Sequence, residues 1–505
     1  MTVLGITGLA ERNATTRLRL PRFTLKSAVA TLFTLLPFLY FTVYAGFGVW
    51  ASFYADDIMN LYWAFAAGWE KLLAANLVPF TTVYRPLGAL YYRSVFEVAG
   101  LNPLGFRLVT YAFLYLNILL LILVVRRLTN SSEIALISAL VWCYHRRSVD
   151  IWVNNGTVYD VLCFTCVMTA LLFWISIRQK QISPRWYHHL AVVLLSVCAV
   201  NAKEMGISLP LLLLAYEAIY YLKDKRRNLA QWLIKDLGSI WLMLFLMPAA
   251  ILMKTAEGSP MHRHFAYAAH FTFEQFFRNH GRFLDDLFYR MDILFQPVHV
   301  VALWTLLVLT ALLLRSKALL FAIGIIIITP LPVVFIPTRG FFVMYLPYAG
   351  WALFAAVLVT RLRDWLWERV LKRGIIAPAL AHPAKAATIL LVLLALVRIH
   401  RMDPTPPPDI AHELSRQRIA AAISELQRLR LCPAGDKGIA FVDPRWDSDD
   451  HGLTMIARLV CRNQTLKADL VNESGMATDR TRYAYTITYD VAKNSYIVHG
   501  SDRLH

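Results

Sequence analysis

Long apolar stretches dominate the chain, and short polar segments separate them. A helix needs about 20 mainly apolar residues to cross a bilayer, and shorter ones are tolerated where flanking groups reach the interface. Eleven stretches approach this length, so we expect a polytopic α-helical membrane protein with about 11 transmembrane helices. They lie at 28–50, 107–125, 133–145, 158–177, 189–202, 205–222, 237–253, 298–314, 318–336, 342–360 and 386–400.

Lys and Arg are concentrated in every second polar segment, which would place them on one side of the membrane. If residues 1–27 are a cytoplasmic N-terminal tail, the inner segments together contain 23 Lys and Arg and 5 Asp and Glu. Basic residues collect in short cytoplasmic loops. The bias therefore predicts a multi-pass protein of the cytoplasmic (inner) membrane, with a cytoplasmic N-terminus and a periplasmic or extracytoplasmic C-terminal part.

Two of the predicted outer loops are too long to be simple connections. Loop 51–106 shows helical periodicity from Ile58 to Ala75 and again from Leu87 to Val98. Loop 254–297 alternates aromatic and charged residues as an amphipathic helix at the membrane interface would. We therefore expect outer amphipathic helices in both loops.

The last part of the chain, residues 401–505, differs in composition from the transmembrane module of residues 28–400. It predicts a small C-terminal α/β soluble domain. Cys432 and Cys461 either form a disulfide in an oxidising compartment or remain buried free thiols. The expected elements are helices at 409–430 and 453–461 and strands at 438–443, 482–490 and 495–499.

Composition agrees with a membrane protein. Of the 505 residues, 58% are hydrophobic, against about 45–50% apolar in ordinary soluble domains. The net charge of +18 alone would suggest a nucleic-acid partner. The inner segments have a surplus of 18 positive charges, which accounts for all of it. We therefore expect no nucleic acid among the partners.

The first candidate for chemistry is the pair Asp56 and Asp57, just beyond the outer end of the first apolar stretch. Carboxylates beside a bilayer are costly, and repulsion between two neighbours raises one pKa. A carboxylate here suits a general base that acts on a hydroxyl group. Asp57 also suits the N-cap of a helix that begins at Ile58. We expect Asp57 to be the cap and Asp56 the reacting group.

A candidate phosphate ligand follows in the same loop. Arg85, between Tyr84 and Pro86, precedes a proline that can begin a helix. A fixed guanidinium suits a phosphate, although for a single isolated arginine an ion pair with Asp56 or Asp57 is the favoured role.

Further charged residues collect on the same predicted face. Arg146 and Arg147 run against the positive-inside trend, so they either hold an anion or pair with Asp150. Lys203 and Glu204 are the only charges in a long apolar region, and they either belong to a site or neutralise each other. Arg339 either joins this site or extends to lipid headgroups. The additional candidates for donor or acceptor binding are Tyr84, His145, Arg146, Arg147, Asp150, Asp160, Glu204 and Tyr345.

In this order and on this face, the motifs resemble the GT-C superfamily of polyprenyl-phosphate-sugar-dependent glycosyltransferases. The Asp-Asp pair and the Tyr-Arg-Pro-Leu segment match its first outer loop. Residues 139–162 are similar to the third and fourth spans of protein O-mannosyltransferases, 202–207 to their Lys-Glu hairpin, and 339–347 to their arginine before Tyr-Leu-Pro. The resemblance covers about residues 28–360, and the compact C-terminal domain resembles those of bacterial members such as aminoarabinose transferases.

The resemblance implies an inverting glycosyltransferase that moves one sugar from a polyprenyl-phosphate carrier to a cell-envelope glycan, lipid or protein. It implies Asp56 as the catalytic base, Asp57 in support, and Arg85, Lys203 and Arg339 as donor-phosphate ligands. Membrane lipids are further partners, and neither a metal site nor an obligate cofactor is expected, with a divalent cation left open. The competing functions are a transporter or flippase of a lipid-linked substrate and a non-catalytic scaffold.

Overall fold

The computed structural model describes residues 25–78, 83–222, 229–255, 268–289, 296–372, 381–402, 410–433, 437–446, 452–471, 482–490, 493 and 495–500. The described chain is mainly helical. In order, the α-helices are α1 (Leu25–Ala45), α2 (Ala55–Ala67), α3 (Trp69–Leu77), α4 (Pro86–Ala99), α5 (Pro103–Thr129), α6 (Ser132–Cys143), α7 (Asp150–Val153), α8 (Val158–Gln179), α9 (Trp186–Ala202), α10 (Leu209–Tyr220), α11 (Leu229–Gln231), α12 (Gly238–Thr255), α13 (Phe273–Leu287), α14 (Pro297–Leu313), α15 (Lys317–Ile328), α16 (Leu331–Val334), α17 (Pro347–Lys372), α18 (Ala381–Met402), α19 (Ile410–Leu429) and α20 (Gly452–Val460).

Each of the eleven predicted apolar stretches contains an α-helix. Among the described residues, five helical segments could cross a membrane by length and composition, and the bent pair Leu229–Asp236 and Gly238–Met253 would make six. Helices α6, α9 and α14 are apolar but shorter. A helical architecture with several membrane-length helices is confirmed, while the number of about 11 spans stays a prediction.

In the helical module, α5 packs against both α6 and α8, α8 packs against α9, and α15 packs against α17. Small residues allow the closest of these contacts. A Cβ atom added at Gly350 would lie 2.7 Å from the carbonyl oxygen of Ala322, so α17 approaches the backbone of α15 directly.

The outer helices differ in one detail from their prediction. The expected helix from Ile58 to Ala75 begins earlier, at Ala55, and is broken at Gly68, whose φ of 74° lies in the left-handed region. Glycine adopts that conformation without steric cost, so α3 can leave in a new direction. Helix α4 begins at Pro86 as expected, and the amphipathic helix expected in loop 254–297 is present as α13.

The C-terminal part contains a four-stranded sheet of order β2-β1-β3-β4. Strand β1 is parallel to β2 and β3, whereas β3 and β4 form an antiparallel pair. The sequence did not predict β2, because three residues are too few to show a period. The strands are β1 (Gly438–Val442), β2 (Ala468–Leu470), β3 (Tyr483–Asp490) and β4 (Ser495–Gly500).

Cys432 and Cys461 form a disulfide, which decides between the two alternatives left open by the sequence. The bond joins the segment after α19 to the residue after α20. It therefore links two helices that also pack against each other.

We expect the protein to take up four maleimide labels after denaturation without reduction, because only Cys143, Cys163, Cys166 and Cys198 are free. Intact mass spectrometry measures the number of labels. A reduced sample is the control and should take up six, the number of cysteines in the chain. Six labels without reduction would contradict the bond.

Candidate functional site

Arg107 is a buried arginine near the start of α5, and it was not among the residues predicted for the site. It is 1% exposed. Its Nε and Nη2 donate to the carbonyl oxygens of Ala51 and Ser52, at 3.2 and 3.1 Å, and its Nη1 donates to Asn155 Oδ1 at 3.2 Å. Nη2 also lies 3.6 Å from Asp57 Oδ2. Arg107 therefore joins the chain before α2 to the turn before α8.

The two adjacent carboxylates have different environments. Asp57 is fully buried, and its Oδ2 accepts from the backbone N–H of Tyr54 at 2.9 Å while its Oδ1 accepts from the hydroxyl of Tyr92 at 3.3 Å. Burial raises the pKa of Asp57, and the charge of Arg107 offsets only part of this effect. Asp56 is exposed.

The capping role of Asp57 needs a correction. It is not the N-cap of a helix that begins at Ile58, because α2 begins at Ala55. Asp57 instead caps from the third position of the helix, by accepting from the backbone of the N-cap residue Tyr54. The interaction still orients the first turn of α2, and with it Asp56.

Gly156 lies directly beside Asp56. A Cβ atom at this glycine would be 3.1 Å from the Cβ of Asp56 and 2.9 Å from Asn154 Oδ1. A larger residue here would push against the exposed carboxylate. The turn Asn155–Thr157 therefore forms one side of the space around Asp56.

Arg85 pairs with neither Asp56 nor Asp57 in the ion pairs found among the described residues. Its Nε and Nη2 donate to Glu204 Oε1 and Oε2 at 3.2 and 2.9 Å. Arg85 has a φ of 48° and precedes Pro86, so the left-handed turn before α4 directs this side chain. Burial raises the pKa of Glu204, but the Arg85 guanidinium, a hydrogen bond from Tyr84 and the charge of Lys203 together outweigh it, and the pKa falls to about 2.

The Arg85 guanidinium also lies over two aromatic rings, those of Tyr84 at 4.5 Å and Tyr159 at 5.0 Å. Tyr159 is on α8, next to Tyr92 on α4, with ring centroids 6.2 Å apart. Because Tyr92 donates to Asp57, this aromatic row connects the region of Arg85 to the carboxylates at the start of α2.

Lys203 forms a second buried ion pair. Its Nζ donates to Asp160 Oδ1 and Oδ2 at 2.5 and 2.6 Å, and it lies 4.8 Å from the ring of Phe342. Lys203 is 3% exposed. Lys203 and Glu204 therefore do not neutralise each other, since each pairs with a residue from another part of the chain.

His145 and Arg146 contact residues that are distant in the chain. His145 is buried between the rings of Tyr289 and Phe341, whose centroids are 4.5 and 4.7 Å away, and its Nε2 is 3.2 Å from the carbonyl oxygen of Leu287. Arg146 donates to the carbonyl oxygen of His400 at 3.2 Å. These contacts attach the turn to α13 and α18.

Two other predicted residues of this turn lie near its end. Arg147 belongs to the turn Arg146–Ser148, and its backbone N–H donates to His145 Nδ1 at 3.3 Å. Asp150 begins α7, and its Oδ2 would be 3.8 Å from a Cβ at Gly340. Asp150 therefore lies next to the loop of Arg339.

The loop before Arg339 is held by α13 through two amide side chains that the sequence did not single out. Asn279 donates to the carbonyl oxygens of Val334 and Ile336, both at 2.8 Å, and accepts from the Thr338 hydroxyl at 2.7 Å. Gln275 donates to the same Ile336 carbonyl at 2.8 Å. Their signal in the sequence is weak, because amides on an amphipathic helix are usually solvent-facing.

Tyr345 is buried and contacts α5 and α6. Its hydroxyl accepts from Asn117 at 3.4 Å, and its carbonyl oxygen accepts from the indole N–H of Trp142 at 2.9 Å. As for a metal, the described residues contain no group of three or more His, Cys, Asp and Glu that could hold one.

Comparison with solved structures finds a match over nearly the whole chain. The crystal structure of ArnT from Cupriavidus metallidurans bound to undecaprenyl phosphate aligns with a TM-score of 0.50 and 13% identity, over 95% of this chain and 99% of that chain. The chain has the fold of ArnT. The apo-state crystal structure of the same protein aligns with a TM-score of 0.47 and 14% identity, over 93% and 94% of the two chains.

ArnT is a GT-C aminoarabinose transferase, so the predicted resemblance to the GT-C fold is confirmed. Sequence comparison alone does not reach this result. No family profile matches the chain, and no curated protein matches it.

We expect the single substitution Lys203→Met to lower the free energy of unfolding by about 3–5 kcal/mol, because it leaves Asp160 buried without its counter-charge. The double variant Lys203→Met/Asp160→Leu should recover most of this loss. Thermal unfolding of purified protein in detergent measures both. The control is Lys493→Met, which breaks an exposed pair with Asp490 and should change stability little. Equal losses in the single and double variants would argue against the buried pair.

Proposed function

We propose that this protein is an inverting glycosyltransferase that moves one sugar from a polyprenyl-phosphate carrier to a hydroxyl of a cell-envelope glycan, lipid or protein. One observation carries the proposal. An exposed carboxylate, Asp56, lies beside a network of fixed charges in a fold shared with a protein whose crystal structure contains undecaprenyl phosphate.

The reaction follows from the chemistry of these groups. Asp56 accepts the proton of the acceptor hydroxyl as its oxygen attacks the anomeric carbon of the sugar. The bond between that carbon and the phosphate oxygen breaks, and the electron pair leaves with the lipid phosphate. Attack opposite to the leaving group inverts the anomeric centre. Fixed cations stabilise the charge that develops on the leaving phosphate.

Asp57 supports this role without taking part in the chemistry. Its oxygens are already used by Tyr54, Tyr92 and Arg107. A fully buried group with these partners has no path to an acceptor. It keeps the first turn of α2 in place, so that Asp56 is presented to the outside.

Arg85 and Arg339 are the proposed ligands of the donor phosphate. The side chain of Arg85 is 14% exposed, and two bonds to Glu204 hold its guanidinium in a fixed orientation. Lys203 is more deeply buried and is fully engaged by Asp160. We assign Lys203 to the same phosphate site through its charge, with Tyr84 beside Arg85.

A small apolar cavity supports a lipid-linked donor. It has a volume of about 130 Å³ and lies next to the turn Glu204–Ser208, between α10, α12 and α16. Its walls include Ile207, Leu211, Met243, Met247 and Leu331. Such a lining suits part of an isoprenoid chain whose phosphate lies near Glu204 and Arg85.

The proposal includes a location in the inner membrane with an inside N-terminus and an outer C-terminal domain. Its support is the concentration of basic residues in the inner segments, together with the membrane-length helices. The acceptor reaction would then take place on the outer face.

We expect Asp56→Asn to reduce sugar transfer by at least about 100-fold, in line with the loss of a general base, while binding of the donor is retained. Release of free polyprenyl phosphate by purified protein, given donor and acceptor extract, measures the transfer. The matched control is Glu70→Gln, which removes an exposed carboxylate of the neighbouring helix α3. Transfer at the wild-type rate in Asp56→Asn would rule out its role as base. A transporter or scaffold would release no polyprenyl phosphate in any variant.

The role of Arg85 can be separated from its ion pair. We expect Arg85→Gln to weaken donor binding by about tenfold or more, because a charge-assisted bond to the phosphate is lost. The double variant Arg85→Gln/Glu204→Gln should bind the donor no better than the single variant. Recovery of binding in the double variant would show that Arg85 only neutralises Glu204.

A further inference from the structure

Arg416 is a buried arginine of the C-terminal part that the proposed mechanism does not use. It lies on α19 and is 8% exposed. Its ion pair within the described chain is with Glu413, at 3.7 Å, and the side chain of Glu413 is 55% exposed. The Nε of Arg416 has no hydrogen-bond partner. A buried guanidinium with an unused donor is costly unless an anion completes it.

The surroundings of Arg416 point toward the candidate site. Helix α19 contacts α2, the helix whose first turn contains Asp56 and Asp57. Burial lowers the pKa of the Arg416 guanidinium, and the charge of Arg107 lowers it further, while Glu413, Asp57 and Asp150 act in the opposite direction. Three of these groups belong to the helical module around Asp56, so the guanidinium lies within electrostatic range of that site.

The other arginines of α19 have different surroundings. Arg418 lies over the ring of Trp446 at 4.2 Å and donates to the carbonyl oxygen of Arg445, so it stays within the C-terminal part. Arg428 is exposed and pairs with Glu425 at 2.7 Å. Residues two apart on a helix lie about 200° apart, which separates Arg416 from Arg418. Arg416 is therefore the most deeply buried of the three arginines of α19, although the Nε of Arg418 also lacks a hydrogen-bond partner.

We infer that Arg416 binds the phosphate of the lipid-linked donor, so that the C-terminal part contributes a cation to the candidate site. This inference rests on the proposed function. A guanidinium is always charged and presents its N–H groups in a planar fork that matches phosphate oxygens. Asp57 already has Arg107 as its counter-charge, which leaves Arg416 available to an incoming anion.

The test is a binding experiment on the full chain in detergent, independent of sugar transfer. The variants are Arg416→Gln, Arg416→Lys and the matched control Arg428→Gln on the same helix. The probes are undecaprenyl phosphate, undecaprenol and phosphatidic acid, and native mass spectrometry measures their affinity.

We expect Arg416→Gln to bind undecaprenyl phosphate about 10- to 100-fold more weakly, with unchanged affinity for undecaprenol. Arg416→Lys should recover part of the loss, because it restores the charge without the planar fork. Arg428→Gln should behave as the wild type. Without ligand, Arg416→Gln should unfold at the same temperature as the wild type or higher, since its one ion pair is with the exposed Glu413 and only partly offsets the cost of burying the charge.

Four results would overturn the inference. Equal affinity of Arg416→Gln and wild type for undecaprenyl phosphate would rule out a contact between Arg416 and the phosphate. The proposed function would still stand if Asp56→Asn abolishes transfer. A loss confined to phosphatidic acid would assign Arg416 to a phospholipid headgroup. Equal losses for undecaprenyl phosphate and undecaprenol, with a lower unfolding temperature, would indicate a structural role. If the wild type binds no undecaprenyl phosphate, both the inference and the proposed function are wrong.

Discussion

The buried guanidinium of Arg107 holds together the parts of the chain that surround the candidate site. It bonds to the backbone before α2, to Asn155 before α8 and to Asp57 within α2. Taking one charge out of water costs several kcal/mol, and only a full set of acceptors offsets this. Because Arg107 finds those acceptors on separate segments, its burial also fixes their relative positions. The accessible carboxylate of Asp56 is presented by this arrangement.

Buried cations also connect separate segments around Arg85 and Lys203. Arg85 with Glu204 and Lys203 with Asp160 form two ion pairs that connect α4, α8 and the turn after α9. Each cation is held by a carboxylate of a different segment, so in the proposed reaction little reorganisation is needed when charge develops on the donor phosphate. Fixed charges of this kind stabilise a transition state more than mobile ones do. The pairs also keep the buried network close to neutral before a substrate arrives.

Much of the architecture follows from local sequence patterns, namely the apolar stretches, the proline positions and the amphipathic periodicity. Apolar stretches became helices, Pro86 began α4, and the aromatic pattern of loop 254–297 became α13. The prediction of one helix from Ile58 to Ala75 was only partly right, because hydrophobic periodicity does not reveal the break at Gly68. Strand β2 was missed for a similar reason, since its pairing with β1 depends on residues distant in the chain.

The sequence by itself determined the class of protein, the positions of its helices and the residue types available for chemistry, since hydropathy, proline positions and isolated charges act locally. It did not determine the partners of those charges. The ion pair that the sequence suggested for Arg85 was with Asp56 or Asp57, yet its carboxylate partner is Glu204, more than a hundred residues away. For the same reason, the sequence did not single out Arg107, Asn279 or Arg416. An electrostatic partner is chosen by distance in space, and only the packing of the helices decides which charges come within a few ångströms of each other.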